Sequence, residues 1–227
     1  MLTVELHSHT YASEDCLMRP ADIVRTCARR GIDRLAVTDH NTIAGAREMQ
    51  ALAPELVIVG EEIMTSQGEL LAYFLRETVP AGLSPVETIE RLRAQGAAIS
   101  VSHPFDRLRH GAWQPADLAA IIQLVDAIEV FNSRCVYPED NARALAFARE
   151  NGKLGTVGSD AHSHRELGRA VLKTPRAGTP VELIAGFGAG ERVTRLSSPA
   201  IHLTSRWAKL RKRLAPRGRQ TGSETKP

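Results

Sequence analysis

Short apolar runs alternate with helix-length segments along this chain, and that alternation restricts the fold more than any other feature of the sequence. The runs are Leu2 to Leu6, Arg34 to Thr38, Leu56 to Gly60, Leu70 to Leu75, Ala98 to Ser102, Ala127 to Phe131 and Leu154 to Val157. Rich in leucine and β-branched side chains and too short for helices, they predict buried strands. The intervening segments 20–30, 42–52, 84–95, 115–124 and 138–151 predict helices, with Pro20, Pro85, Pro115 and Pro138 near their starts and Gly31, Gly96 and Gly152 past their ends. Strands separated by helices predict parallel pairing. With no dinucleotide-type glycine fingerprint and no internal repeat, a closed or nearly closed βα barrel is expected in preference to a doubly wound sheet.

The polar residues fall into place on that frame, because nearly every run ends in a candidate metal ligand. His7 and His9 follow the first run, Asp39 and His40 the second, Glu61 and Glu62 the third, His103 the fifth, and Asp160 and His162 the seventh. In a βα barrel these positions share the carboxyl-terminal face of the strands, where active sites of that architecture are built. Each residue has a plainer reading. His40 could cap a helix, Glu62 could open a solvated loop, and Asp160 could cap the turn after Val157. It is their joint placement at successive strand ends, with five of the eight histidines involved, that points to a metal site. His110, His164 and His202 are read as surface residues.

Composition sets the outer bounds. A chain of 227 residues with 43% hydrophobic content can fill one core, so one domain over residues 1–204 is expected. No window approaches a membrane span and the start lacks a signal-peptide pattern, which predicts a cytoplasmic protein. Cys16, Cys27 and Cys135 are odd in number and widely spaced, without a Cys-x-x-Cys pair, so they are expected to be reduced and structural. The net charge of +3 conceals a basic tail, since residues 205–227 carry eight Lys or Arg against Glu224 alone. That is +7, leaving −4 for the remainder. A helix from Ser205 to Leu214 is expected, with Trp207, Leu210 and Leu214 as an apolar stripe docked on the domain and disorder after Pro216. Contact with nucleic acid or a membrane surface is the second reading of this tail.

Several separate motifs, in order, carry a resemblance to the PHP domain, the polymerase and histidinol phosphatase family of metal-dependent phosphoesterases. They are Glu5-Leu-His-Ser-His-Thr10 with Asp15, Gly31-Ile-Asp-Arg-Leu-Ala-Val-Thr-Asp-His-Asn41, Gly60-Glu-Glu-Ile63, Val101-Ser-His-Pro104, Ala127-Ile-Glu-Val-Phe-Asn132 and Gly158-Ser-Asp-Ala-His162. The resemblance spans roughly residues 1 to 195. It implies a distorted (β/α)7 barrel holding two or three divalent metal ions and a metal-bridging hydroxide that attacks phosphorus. It assigns ligand roles to His7, His9, Asp15, His40, Glu62, His103, Asp160 and His162. Where many relatives carry histidine after the Glu motif, this chain has Glu69, which is expected to supply an oxygen ligand instead. Asn132 and Glu129 match a motif of less direct role, and Glu129 is also readable as a supporting carboxylate.

The ligand types suit this chemistry on their own terms. Imidazole and carboxylate without thiolate fit Mn, Fe or Zn, and paired cations activate water and neutralise a transferring phosphoryl group. Arg107, Arg134 and Arg165, which follow the motif residues, are candidates for holding substrate phosphate, together with Asn132. The leading expectation is hydrolysis of a small phosphorylated metabolite or nucleotide. A nuclease using the basic tail, a metal-dependent C–N hydrolase and a non-catalytic regulatory domain are the alternatives. A small-molecule phosphoester is the expected partner, ahead of nucleic acid.

Overall fold

The computed structural model describes residues 1–214. Nine strands form one sheet in the order β7-β6-β5-β4-β3-β2-β1-β8-β9. They are β1 (Leu2–Glu5), β2 (Arg34–Val37), β3 (Val57–Met64), β4 (Glu69–Tyr73), β5 (Ala98–Val101), β6 (Ala127–Asn132), β7 (Leu154–Gly158), β8 (Ala170–Thr174) and β9 (Glu191–Thr194). Seven helices accompany them: α1 (Pro20–Arg30), α2 (Ala44–Leu52), α3 (Pro85–Ala94), α4 (Pro115–Ile121), α5 (Pro138–Glu150), α6 (Pro180–Ala189) and α7 (Ile201–Leu214). Five begin with proline, whose missing N–H costs nothing in the first turn. Ser84 caps α3 through the Glu87 amide, and Gly31 closes α1 in the left-handed conformation.

The sheet curls into a nearly closed barrel. An isolated parallel bridge between Ser8 and Ala161 joins the chain just past β1 to the chain just past β7, through His9 N to Ala161 O at 3.0 Å and Ala161 N to His7 O at 3.2 Å. Closure therefore occurs where the candidate ligands lie. Side chains alternate across each strand. Leu35, Val37, Val57, Val59, Leu70 and Ala72 pack outward against helices, while Ala36, Ile58, Leu71, Tyr73 and Ala98 form a second, inner cluster. Phe187 and Leu183 of α6 join that inner cluster, with Phe187 edge-on to Tyr73 at 6.1 Å between ring centroids.

Two features depart from the expected all-parallel pairing. β4 runs antiparallel to both β3 and β5, and no helix separates β3 from β4. The connection is only Thr65 to Gly68, long enough for a hairpin and far too short for a parallel crossover. β8 and β9 extend the sheet beyond β1 as an antiparallel pair outside the expected runs; β9 is exposed throughout, whereas β8 is buried except at Lys173.

Helix α7 begins at Ile201, ahead of the expected Ser205, and its apolar stripe does not dock. Ser205 and Ala208 face the barrel, while Trp207, Leu210 and Leu214 are exposed. The expected disorder after Pro216 lies outside the described residues.

Candidate metal centre

Nine side chains converge at the carboxyl-terminal end of the parallel strands. His7 and His9 come from the chain after β1, Asp15 from the following loop, His40 from after β2, Glu62 from β3, His103 from after β5, and Asp160 and His162 from after β7. Glu69 completes the set for a topological reason. It opens β4, and because β4 is reversed its first residue sits on the face where its neighbours end, opposite Met64 of β3. All are buried except His40, which is partly exposed.

Glu62 lies at the centre. Its Oε2 is 3.3 Å from His7 Nε2, 3.5 Å from His9 Nε2 and 3.0 Å from His40 Nδ1, and its Oε1 is 3.1 Å from His103 Nε2. Asp160 Oδ1 approaches His9 Nε2 at 3.2 Å, and Asp15 Oδ1 approaches His162 Nε2 at 3.1 Å. Glu69 Oε2 stands 3.6 Å from His103 Nε2. Donor atoms from three sets, His9–His40–His162, His7–His9–Glu62 and His40–Glu62–Glu69, each fall within 4.8 Å of one another.

The imidazoles are oriented by their other nitrogens. His7 Nδ1–H donates to Glu129 Oε1 at 2.9 Å, and Glu129 Oε2 accepts from the His103 amide at 2.9 Å and from Asn132 Nδ2 at 3.0 Å. His9 Nδ1–H donates to Ser13 Oγ at 3.1 Å, and His162 Nδ1–H to the Asp160 carbonyl at 2.8 Å. Each ring then turns Nε2 inward, the arrangement typical of metal-binding histidines. A register shift between Glu129 and Phe131 in β6 accounts for Glu129 and Asn132, three residues apart, both facing the site. At Gly158 a Cβ would lie 2.2 Å from Glu129 Oε1 and 2.5 Å from His7 Cβ, so only glycine fits.

Whether these residues suit metal ions is answered by their unpaired atoms. His7 Nε2, His9 Nε2, His162 Nε2, Glu62 Oε2, Asp160 Oδ1 and Asp15 Oδ1 are all buried without a hydrogen-bond partner. Buried polar atoms are ordinarily satisfied, and six orphans aimed at one space are what divalent cations would satisfy. Burial, with His162 and His40 alongside, holds His9 below the usual histidine range and hence neutral, the ligating state. Burial and the nearby Glu62 push the Glu69 carboxyl up, a strain that a cation would relieve.

The substrate-side candidates divide. Arg107 is turned away, held by Asp140 at 2.6 Å and lying over Tyr137. Arg165 is exposed and is not brought to the cluster. Arg134 is buried against His162, Glu166 and Ser205, and Asn132 donates to Glu129 and Asp160, so both brace ligands. The arginine in the site is Arg109, which the sequence did not single out. It pairs with Asp160 and, beside Asp160, Glu62 and Asp106, has its pKa raised in spite of burial. Arg109, His110, Glu69, His40, Asp15 and Lys209 of α7 border an open cleft of about 510 Å³. His110 is exposed, as expected, and lines the mouth, while His202 is half-buried and tied to the Arg134 carbonyl at 3.2 Å. Asp39, one of the strand-end candidates for a metal ligand, instead accepts from Thr10 and Ser13 and shapes the loop that carries Asp15.

Imidazole and carboxylate donors converging at the strand ends of a βα barrel define a metal centre at its carboxyl-terminal face. Comparison with known proteins narrows the class: the model of the PHP domain matches residues 5–103 and that of the PHP-associated region residues 138–191. The chain belongs to the PHP-domain family. An uncharacterized protein of Methanocaldococcus jannaschii is 35% identical over 176 residues, covering 76% of this chain and 70% of that protein. A 5'-3' exoribonuclease of Haemophilus influenzae is 38% identical over 65 residues, 27% of this chain and 23% of that one. Among solved structures, a two-domain protein of Bacteroides vulgatus containing a predicted PHP-like metal-dependent phosphoesterase superposes with a TM-score of 0.67 at 20% identity, covering 86% of this chain and 65% of that chain. No helix among the described residues is long and apolar enough to cross a membrane.

Proposed function

We propose that this chain hydrolyses a small phosphorylated metabolite or nucleotide, using two or three divalent ions held by His7, His9, Asp15, His40, Glu62, Glu69, His103, Asp160 and His162. The observation that carries the reading is the set of six unpaired donor atoms directed into one space beside a cleft that Arg109 and Lys209 border. Bound divalent ions would supply Lewis acidity and a water of lowered pKa. The protein's own part is orientation. Glu129, Ser13 and the Asp160 carbonyl fix three imidazoles, and Arg134 and Asn132 brace His162 and Asp160. At the mouth, Arg109 and Lys209 offer positive charge to anionic ester oxygens. The donor set, lacking thiolate, suits Mn, Fe or Zn.

An exonuclease is the second reading, favoured by basic α7 beside the cleft and by the segment shared with the exoribonuclease. One experiment tests both. Metal-loaded protein is assayed against phosphomonoesters, cyclic and linear phosphodiesters, short oligonucleotides and a set of amides. Release of phosphate from small esters, abolished by a chelator, is the expected result; turnover of oligonucleotides alone moves the assignment to the second reading, and release of amine alone overturns both.

A further inference from the structure

The outer face of α7 carries a largely exposed apolar stripe, of which Trp207 also borders a pocket beside Leu17 and Met18. Leu203, Trp207, Leu210 and Leu214 are spaced by four, three and four residues, which at 3.6 residues per turn gathers them into one arc of about 60°. All four are exposed, at 63%, 60%, 48% and 74%. Arg206 and Arg213 lie along one edge of the arc and Arg211 along the other, all exposed, and α7 contains no acidic residue. The opposite face is clamped to the barrel: Ser205 Oγ accepts from Arg134 at 2.7 Å, Lys209 pairs with Glu14 at 2.6 Å, and Lys212 donates to the carbonyls of Tyr11 and Ser13. These contacts fix the rotation of the helix and commit the stripe to the outside.

An apolar ridge between arginine rows calls for a partner that is apolar in the middle and negative at its margins. Residues 215–227 contain no Leu, Ile, Val, Met, Phe, Tyr or Trp, so they offer the stripe no large apolar side chain. A second copy would set arginine rows against arginine rows. An anionic bilayer supplies both demands at once, with acyl chains for the leucines, the headgroup boundary for the tryptophan and negative lipids for the arginines. We propose that α7 is an interfacial helix that seats this protein on an anionic membrane surface, with Trp207, Leu210 and Leu214 entering the headgroup layer. The basic residues 217, 219 and 226 add electrostatic attraction.

The chain has two tryptophans and Trp113 is buried at 4% exposure, so a change in emission reports Trp207. Full-length protein is titrated with phosphatidylcholine vesicles, with and without one-third phosphatidylserine, and followed by co-sedimentation and tryptophan fluorescence. Expected are binding and a blue shift with the anionic vesicles only, weakened by salt. The Leu210→Ser/Leu214→Ser double variant changes only exposed residues and should lower partitioning about tenfold or more, as loss of two buried leucines predicts, without altering the emission of the free protein. Absence of a blue shift on anionic vesicles overturns the proposal, as does equal binding by the double variant, which would leave basic charge as the sole cause. A concentration-dependent dimer in light scattering that the double variant abolishes would assign the stripe to a second copy, and protection of Trp207 by an oligonucleotide but not by vesicles would assign it to nucleic acid; either result overturns it too.

Discussion

At the scale of single residues, the centre depends on side chains that orient others. Glu129 touches His7, the His103 amide and Asn132 at once, so Glu129→Ala should free three groups and lower metal affinity by about 10–100-fold. Metal titration by calorimetry checks this, and an unchanged affinity would remove Glu129 from that role. Glu69→Gln keeps the volume and deletes the charge. If Glu69 is a ligand, one metal is weakened and turnover falls about tenfold or more, in line with the sensitivity of metal sites to their surroundings. Elemental analysis showing full metal content in Glu69→Gln, beside loss in a His40→Ala control, would leave Glu69 a bystander. The sequence identified the clustered histidines and carboxylates because strand-end placement is periodic and visible. It named Arg107 and passed over Arg109. Both lie in the same loop, and the choice is made by Asp140 on α5, 33 residues away, which takes Arg107 for itself.

At the scale of elements, β1 to β7 were all legible as strands from alternation, and what differed was the direction of β4, which is set by the short connection from β3 rather than by the strand's composition. The reversal of β4 is what gives Glu69 its place, so a residue that departs from the strand-end pattern joins the cluster by topology. The stripe of α7 was visible in the sequence but its destination was not. Amphipathicity predicts that an apolar face has a partner, and here the barrel takes the small side chains Ser205 and Ala208 instead. β7 offers a sharper test of how closely the elements approach. Gly158→Ala inserts a methyl between Glu129 and His7, and should destabilise the fold by about 1–3 kcal/mol, the usual range for overpacking. Urea denaturation measures this, and an unchanged midpoint would show that β6 and β7 can separate at no cost.

At the scale of the whole molecule, two solution properties follow from where charge and thiols are buried. Cys27 is packed in the core and burial, with Glu5 nearby, pushes its thiol up to about 12; Cys16 and Cys135 are buried as well. Alkylation requires thiolate, so the folded protein should resist iodoacetamide at pH 8, and all three cysteines should react once it is denatured. Mass spectrometry reads the difference, and rapid labelling of native protein would contradict the packing around α1. The larger effect concerns the centre. Asp15, Glu62, Glu69 and Asp160 are buried within one cluster, with Asp15 Oδ1, Glu62 Oε2 and Asp160 Oδ1 lacking hydrogen-bond partners, so without cations the folded state carries uncompensated desolvation. Divalent ions that bind the folded chain alone therefore stabilise it by mass action. At a free concentration about a hundredfold above Kd, one site contributes about 2.7 kcal/mol, which for a domain of this size is about 5–10 °C in Tm. Thermal melts with and without chelator should differ by at least that amount, and the difference should shrink in Glu62→Gln, which removes the charge that touches four histidines. Coincident melts of metal-loaded and chelated wild-type protein would mean that the cluster is stabilised by its own histidine–carboxylate pairs, and that metal is not part of the folded state.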